Sequence, residues 1–519
     1  MPARPSRVTL SSIAVLTLGA LLTLDAAPGR PALDREAAVH AASRLSFGAT
    51  ADLVRQLEAQ GLSAWLETQL GTPAAPEAAL EARLARLQTL AMSPRTLADT
   101  YYIPALERRR AAAMRSDEAP GTIEAPADPA EAMRMQAPGP ERLVVVELAT
   151  QKLVRATAAQ RQLEELLVDF WFNHFNVFAG KGPVRMYVYD FERTAIRPHV
   201  LGSFRDMLGA VAGSPAMLFY LDNWQSSAPG TRTRRGPMGL NENYARELLE
   251  LHTLGVDGGY TQQDVVAVAR AFTGWTIREP RRGGEATYDP RRHDTGTKTV
   301  LGQALPAGGR EEGERVLDML ARHPATARHV ARKLARRFVS DTPPEALVAR
   351  VAARFTATNG NLRETMRALV ESPEFLAPAA RLAKVKTPIE FVASAVRVLG
   401  ADVRMAGALG QQLRTLGMPP YFAEPPTGYR DTADAWTNGG ALVQRMNVAV
   451  ALASGQMRGV GPARLPALTG DTPEARARAM ADALLLRTPS PATLATMAKA
   501  STAADMAALL IGSPEFQRR

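Results

Sequence analysis

The segment from Asn241 to Gly255 sets ionisable side chains into an otherwise apolar pattern. On an ideal helix, at about 100° per residue, Tyr244, Leu248 and Leu251 form one apolar stripe. Glu247 falls at the margin of this stripe. A carboxylate in such a position must be paired, metal-bound or protonated. Glu247 is therefore a candidate metal ligand or general acid/base.

A structural interpretation of the same residue stands beside the functional one. A buried Glu247 could form an ion pair with Arg197 or Arg270, since structural ion pairs also perturb carboxylates. Glu250 has a simpler explanation, because it lies four residues after Arg246 and fits a solvated salt ladder along the helix. The pattern alone leaves both interpretations of Glu247 open.

Three histidines add chemistry in the same part of the chain. His174 lies in an aromatic helix, His252 lies at the other edge of the apolar stripe, and His293-Asp294 lies in a glycine-rich loop. A loop histidine beside a carboxylate can bind metal or move protons. The sequence thus predicts Glu247, His293 and Asp294 as catalytic residues. It predicts His174, Glu247, His252 and His293 as ligands of a divalent metal.

Each histidine also has a structural interpretation. A lone histidine between aromatic residues, such as His174, is usually a satisfied core residue. Asp294 could hydrogen-bond backbone amides in a turn ahead of Gly296, with Lys298 following. Zinc-protease, di-iron, Walker A and nucleophile-elbow motifs do not occur in the sequence, so the common nucleotide enzymes and hydrolases are not indicated.

Composition narrows the class of protein. The 519 residues include no cysteine, which rules out disulfides, zinc-thiolate sites and thiol nucleophiles. The formal net charge of +10 is spread among acidic residues without a basic stripe interleaved with aromatics. We therefore expect no nucleic-acid partner.

The N-terminus has the anatomy of a signal peptide. Arg4 and Arg7 precede a short apolar run, and Ala26-Ala27 precede the helix-breaking Pro28. We expect residues 1–30 to direct export to the periplasm or beyond. An uncleaved N-terminal anchor is the alternative, and it would be the only membrane contact.

Elsewhere, abundant Ala, Leu and Arg with helical periodicity predict an all-α fold: orthogonally packed helices, long loops and little or no sheet. Helices are predicted over 186–211, 240–254 and 262–275, among others, and two or three helices are expected to close the chain. Ser372-Pro-Glu-Phe375 recurs at Ser513, which suggests a duplicated hairpin. The predicted organisation is a signal or anchor (1–30), an N-terminal helical region (31–114), a flexible linker or insert (115–140), a central helical core with the polar site (141–340) and a C-terminal helical region (341–519).

Several longer motifs occur in order along the chain. They include Phe170–Phe175, Ser214–Asn223, Asn241–Gly255, Thr273–Trp275 and His293–Lys298. On these motifs the sequence resembles the bacterial family catalogued as domain of unknown function 1800. The resemblance extends over roughly residues 35–519 and implies no established activity. It implies export, and also a gene neighbour that encodes an exported protein similar to phosphatases and sulfatases.

Two functions follow as hypotheses. The first is an exported cell-envelope enzyme that performs a metal-assisted or acid/base reaction. The second is a non-catalytic helical scaffold that binds the exported phosphatase- or sulfatase-like protein. Convergence of three or more of the candidate side chains would favour the enzyme, and dispersal would favour the scaffold.

Overall fold

The computed structural model describes residues 33–72, 76–118, 139–233, 236–237 and 239–519. Within them the chain is predominantly helical, which confirms the predicted fold class. The α-helices are α1 (Arg35–Leu45), α2 (Ala51–Gln60), α3 (Leu62–Leu70), α4 (Ala78–Leu84), α5 (Pro94–Leu97), α6 (Ile103–Glu118), α7 (Arg142–Ala158), α8 (Gln162–His174), α9 (Val184–Phe191), α10 (Phe204–Ala212), α11 (Pro215–Tyr220), α12 (Asn243–Glu247), α13 (Gln262–Ala271), α14 (Glu311–Ala321), α15 (Pro324–Phe338), α16 (Glu345–Ala357), α17 (Leu362–Val370), α18 (Pro373–Leu376), α19 (Pro388–Val398), α20 (Gly407–Thr415), α21 (Gly439–Ala453), α22 (Pro473–Leu484), α23 (Pro491–Met497), α24 (Ala503–Gly512) and α25 (Pro514–Gln517).

Shorter elements connect these helices. The 3₁₀ turns are Gln88–Ala91, Arg197–His199, Asn223–Gln225, Pro280–Arg282, Pro290–Arg292, Pro378–Ala380 and Ala433–Ala435, and the π-helical segments are Ala98–Tyr102, Glu192–Ile196 and Leu248–Thr253. The strands form antiparallel pairs: β1 (Arg232–Thr233) with β2 (Gly236–Pro237), β3 (Trp275–Ile277) with β4 (Ala286–Tyr288), and β5 (Lys298–Val300) with β6 (Gln303–Leu305). The glycine-rich loop that carries His293 and Asp294 connects β4 to β5.

The helix ends follow the capping chemistry of the sequence. Thr261 and Asp264 form a capping box at the start of α13. The Thr261 hydroxyl accepts a hydrogen bond from the backbone amide of Asp264, and the Asp264 carboxylate accepts one from the backbone amide of Thr261. Thr387 and Glu390 do the same at the start of α19. These reciprocal bonds satisfy backbone donors that a helix start otherwise leaves unpaired.

The predicted helix over 186–211 is wrong as a single element. The chain leaves the helical path in the 3₁₀ turn Arg197–His199 and resumes it at α10. Pro198 lies in that turn, and proline lacks the amide hydrogen that a continuing helix needs. At the C-terminus the expected two or three helices are five, because Ser-Pro and Thr-Pro pairs restart the helix repeatedly.

The Ser-Pro-Glu-Phe repeats have the same local structure. Ser372 is the N-cap of the short helix α18 and Ser513 is the N-cap of α25, and each helix has proline in its first turn. Phe375 and Phe516 are both buried, so each short helix anchors its preceding helix to the core.

One continuous hydrophobic core includes buried residues from Ala38 to Phe516. The N-terminal, central and C-terminal regions all contribute to it, and the boundaries between them stay predictions. The expected signal segment 1–30 lies outside the described residues, and so does most of the expected linker 115–140; the start of that range is helical, because α6 continues to Glu118. Of the helices that the structure describes, none is both long and apolar enough to cross a bilayer.

A buried ion cluster crosses this core and ties α8, α15, α19 and the C-terminus together. Arg337 Nη2 lies 3.0 Å from Glu390 Oε1 and 3.4 Å from Asp169 Oδ2, and its Nη1 lies 3.5 Å from Asp431. Arg519 Nη2 lies 2.9 Å from the same Glu390 oxygen. Burial opposes ionisation of Glu390, but the two arginines outweigh it and hold its pKa at about 2.

Replacing Glu390 by Gln is expected to lower the free energy of unfolding by about 3–5 kcal/mol. The substitution leaves Arg337 and Arg519 buried with one counter-charge fewer, and stranded buried charges have costs of this size. Urea denaturation of both proteins measures the difference. Glu345→Gln is the matched control, since Glu345 pairs with Arg332 at the exposed surface, where an ion pair contributes little to stability. Equal losses in the two variants would contradict this role for Glu390.

Candidate functional site

The helix predicted over 240–254, which carries the motif Asn241–Gly255 and is called the motif helix below, begins later and turns more widely than an ideal helix. It starts at α12 and continues as the π-helical segment Leu248–Thr253. The amide of Gly255 donates to the carbonyl of Leu249, six residues back, and the Thr253 hydroxyl donates to the carbonyl of Leu248 at 2.6 Å. These long-range bonds widen the last turn, and such π segments occur frequently at functional sites.

The wider turn changes which side chains are buried. Leu249 and Thr253 are fully buried, whereas Leu251 is only partly buried. The ideal helical wheel placed Leu251 in the buried stripe and left Leu249 out. That assignment is wrong because each residue of a π turn rotates the chain by a smaller angle than a residue of an α turn. His252, which the wheel placed at the edge of the stripe, is 1% exposed.

Two histidines hold the end of this segment. His174 Nε2 lies 3.1 Å from the carbonyl oxygen of His252, and His329 Nε2 lies 3.1 Å from that of Leu251. The last carbonyls of a helix have no partner within the helix. His174, at the end of α8, and His329, on α15, therefore act as side-chain caps of the motif helix.

His174, His252 and His329 form one aromatic cluster in the core. The His174 ring lies 6.3 Å from the His252 ring and 6.1 Å from the His329 ring, measured between centroids. Burial and then the nearby Lys333 ammonium lower the pKa of His252 to about 3 and that of His329 to about 4. Burial also lowers the pKa of His174 well below its ordinary value. The three rings are consequently neutral near pH 7.

Glu247 lies apart from this cluster, on the half-buried edge of α12. In the described part of the chain no hydrogen bond or ion pair reaches its carboxylate. Burial raises its pKa, Glu250 raises it further, and Arg246 opposes both. Its charge in turn contributes, after burial, to the raised pKa of Tyr220.

Neither of the arginines suggested as partners of Glu247 pairs with it. Arg197 binds Glu165 with both terminal nitrogens, at 2.7 and 2.9 Å. Arg270 binds Asp294 in the same two-pronged manner, at 2.8 and 3.0 Å. The ion-pair interpretation of Glu247 therefore finds no partner among these two residues.

His293 and Asp294 belong to a second buried cluster. His293 Nδ1 lies 2.9 Å from the Thr273 carbonyl oxygen, and its Nε2 lies 3.4 Å from Glu312 Oε2. Lys298 Nζ lies 2.6 Å from that same carboxylate oxygen. Asp294 accepts the amide of Gly296 at 2.9 Å, as the turn interpretation expects. The hydrogen bond from Arg270 outweighs partial burial and holds the pKa of Asp294 at about 2.

The predicted site residues thus fall into three places. His174 and His252 come together, His293 and Asp294 lie around Glu312, and Glu247 contacts neither set through any described interaction. Within the ranges that the structure describes, no group of three or more His, Asp or Glu residues is arranged to hold a metal ion. The metal and catalytic roles stay predictions.

Sequence reasoning missed Glu312, His329 and Lys333. Glu312 had a usable signal, because it lies one turn before Val316 on the buried face of α14. His329 and Lys333 are also one turn apart, on α15, but nothing in their spacing indicates that the neighbouring motif helix ends beside them.

Comparison with known proteins gives one match. The model of a family described as "Protein of unknown function (DUF1800)" matches residues 40–518. No curated protein and no solved structure is significantly similar to the chain.

Replacing His252 by Leu is expected to flatten the acid side of the stability profile. The folded-state pKa of His252 is depressed, so the unfolded chain takes up its proton first as pH falls below about 6.5. The stability contributed by the neutral ring is complete above that pH and is lost between pH 6.5 and about 3. The variant should lose about 1.4 kcal/mol less per pH unit in this window. Denaturation midpoints measured from pH 7 to 4 test this, and parallel profiles for both proteins would contradict it.

Proposed function

Since the chain belongs to the DUF1800 family of proteins of unknown function, we propose its function from its own residues. It is an exported protein of the cell envelope, and the carboxylate of Glu247 is its proton-transferring group. This is the acid/base form of the enzyme hypothesis. The metal-assisted form has no ligand set of three in the described part of the chain to support it.

One observation carries the proposal. Glu247 is half-buried, and its carboxylate has no partner in the described part of the chain. Other carboxylates withdrawn from solvent form ion pairs: Glu165 with Arg197, and Glu312 with Lys298. Partly desolvating a carboxylate without pairing it costs free energy. Residues that break a local rule without compensation inside the fold are candidates for external partners.

The surroundings of Glu247 suit proton transfer. Burial and the neighbouring Glu250 raise its pKa toward the range in which a carboxyl can both hold and release a proton near neutral pH. The hydroxyl of Tyr260 donates to Glu250 at 3.3 Å, which orients that second carboxylate beside Glu247. Two carboxylates in unlike environments can divide the acid and base roles.

The scaffold remains the second candidate, because a specific observation favours it. His174 and His329 hydrogen-bond to backbone carbonyls of the motif helix, and His293 lies in a buried ion cluster with Glu312. These side chains support the fold. In a scaffold, Glu247 would instead meet a basic side chain of a partner, for which the resemblance suggests an exported phosphatase- or sulfatase-like protein.

Glu247→Gln is expected to raise the free energy of unfolding near pH 7 by about 0.5–2 kcal/mol, the usual range for relieving such a site. The folded-state pKa of Glu247 is raised, so its destabilising charge appears as pH rises through the ordinary value of 4.5. The gain should vanish near pH 3, where the Glu247 carboxyl of the wild-type protein is protonated in both the folded and the unfolded state. Urea denaturation at the two pH values measures it.

The matched control is Glu165→Gln, which removes a paired carboxylate. It should lower the free energy of unfolding by about 1.5–3 kcal/mol, the usual contribution of hydrogen bonding to a charged group, because Arg197 then keeps only its longer contacts to Glu192 and Glu164. A loss of stability in Glu247→Gln at pH 7 would mean that Glu247 has a cationic partner within the protein, and the proposal would fail.

Activity is tested with nitrophenyl esters, glycosides and phosphates, incubated with the mature protein between pH 5 and 7. We expect turnover of one class, reduced about 100-fold or more in Glu247→Gln, as for loss of a general acid/base. Glu242→Gln, at the N-cap of the same helix and within an exposed ion pair with Arg246, is the control. Equal turnover by Glu247→Gln would contradict the role proposed for Glu247, and turnover of no class would favour the scaffold.

Export is tested separately. The mature protein should lack the residues before about Pro28, because Arg4, Arg7 and the apolar run after them form a signal segment. N-terminal sequencing of protein from fractionated cells decides this. A cytoplasmic product that still starts at Met1 would contradict export.

A further inference from the structure

A cavity of about 410 Å³ opens between α1, the segment after α18, the end of α22 and the C-terminal residue. Its size is within the range of small-molecule sites. It is distinct from the motif helix, and none of the predicted site residues lines it.

Two buried nitrogen-bearing side chains line the cavity with unused hydrogen-bonding capacity. Arg519 is 2% exposed; its Nη2 pairs with Glu390, whereas its Nε and Nη1 have no partner among the described residues. His40 is 5% exposed; its Nε2 lies 2.7 Å from the Phe375 carbonyl oxygen, and its Nδ1 has no partner there either. Buried polar atoms are normally satisfied, so the two unpaired Arg519 nitrogens, which can only donate, point to a missing acceptor. His40 Nδ1 is itself an acceptor, because Nε2 of the neutral ring donates to Phe375.

A second buried guanidinium, that of Arg44, lies close to His40 and Arg519 but outside the cavity lining. Arg44 is fully buried and donates from Nη2 to the Ala380 carbonyl at 2.5 Å, while its Nε and Nη1 have no partner among the described residues. The charges of Arg44 and Arg519 oppose each other: after burial, each disfavours the charged form of its neighbours, including His40. The interior end of the cavity is therefore electropositive and rich in donors.

The rest of the wall is mixed. Arg487, which is partly buried, donates to the carbonyl of Arg518 at 3.2 Å and has an unpaired Nε. Val39 and Leu486 supply apolar surface. Two acidic residues also line the cavity: Glu36 is largely exposed and is paired with Arg381, and Asp482 is exposed.

We propose that this cavity binds an organic anion. A carboxylate or phosphate head group would accept hydrogen bonds from Arg519 and Arg487 at the interior end, where guanidinium groups match oxyanion geometry. A short apolar body would pack against Val39 and Leu486. This site is independent of the role proposed for Glu247.

Calorimetric titration of the mature full chain tests the site with phenyl phosphate, benzoate and inorganic phosphate, each at constant ionic strength set with potassium chloride. We expect saturable binding of at least one of the two aromatic anions, and the tighter one identifies the head group. Binding of phenyl phosphate more tightly than inorganic phosphate would identify the apolar contact. No saturable binding of any probe at millimolar concentration would overturn the proposal.

Two variants locate the binding. Arg487→Gln should weaken it about tenfold or more, the usual effect of losing one charge-assisted contact, whereas Arg291→Gln, which removes the same charge at an exposed position, should leave it unchanged. Ser43→Phe keeps the charge and fills part of the cavity, so it should abolish binding. Circular dichroism confirms that each variant is folded. Wild-type affinity in folded Ser43→Phe would overturn the assignment even if Arg487→Gln did not fold.

Discussion

The whole architecture depends on keeping one carboxylate charged in the interior. Glu390 is 2% exposed and lies against Arg337 and Arg519, which reach it from α15 and from the C-terminal residue. Such a carboxylate is tolerated only when its counter-charges are fixed in place. The capping bond from the Thr387 amide fixes the other side of Glu390, so the start of α19, the core helix α15 and the last residue have to be in position together. This requirement explains why the C-terminal region shares a single core with the central one.

Hydrogen bonds from neutral histidine side chains fix the end of the motif helix in a similar way. Its π-helical end leaves the carbonyls of Leu251 and His252 facing inward, and His329 and His174 supply the hydrogen bonds. Neutral rings suffice because burial and the Lys333 charge keep them deprotonated. In these two places a polar group in the interior is matched either by an opposite charge or by an uncharged donor. Glu247 departs from this pattern at the edge of the same helix.

The sequence predicts the helical class well because the composition and capping residues act locally: Thr261 and Asp264, three residues apart, form a capping box. It fails where distant residues decide the geometry. The wheel placed Leu251 in the core because it assumed an ideal α turn, whereas the segment is π-helical and its last carbonyls are capped by His174 and His329 from distant parts of the chain. His174 and His252 come from two different motifs and do meet. His293 lies with Glu312 instead, and that contact joins two elements whose relative position no local pattern encodes.

The proposed function rests on the protonation of Glu247, and a carboxyl titration measures it directly. Carbon-13 NMR of glutamate carboxyls, assigned by the signal missing from Glu247→Gln, gives the midpoint in the folded protein. The account predicts a midpoint above the ordinary 4.5, because burial and then Glu250 disfavour the charge, and a lower midpoint in Glu250→Gln. A midpoint at or below 4.5, unchanged by Glu250→Gln, would show a solvated or paired carboxylate and contradict the account.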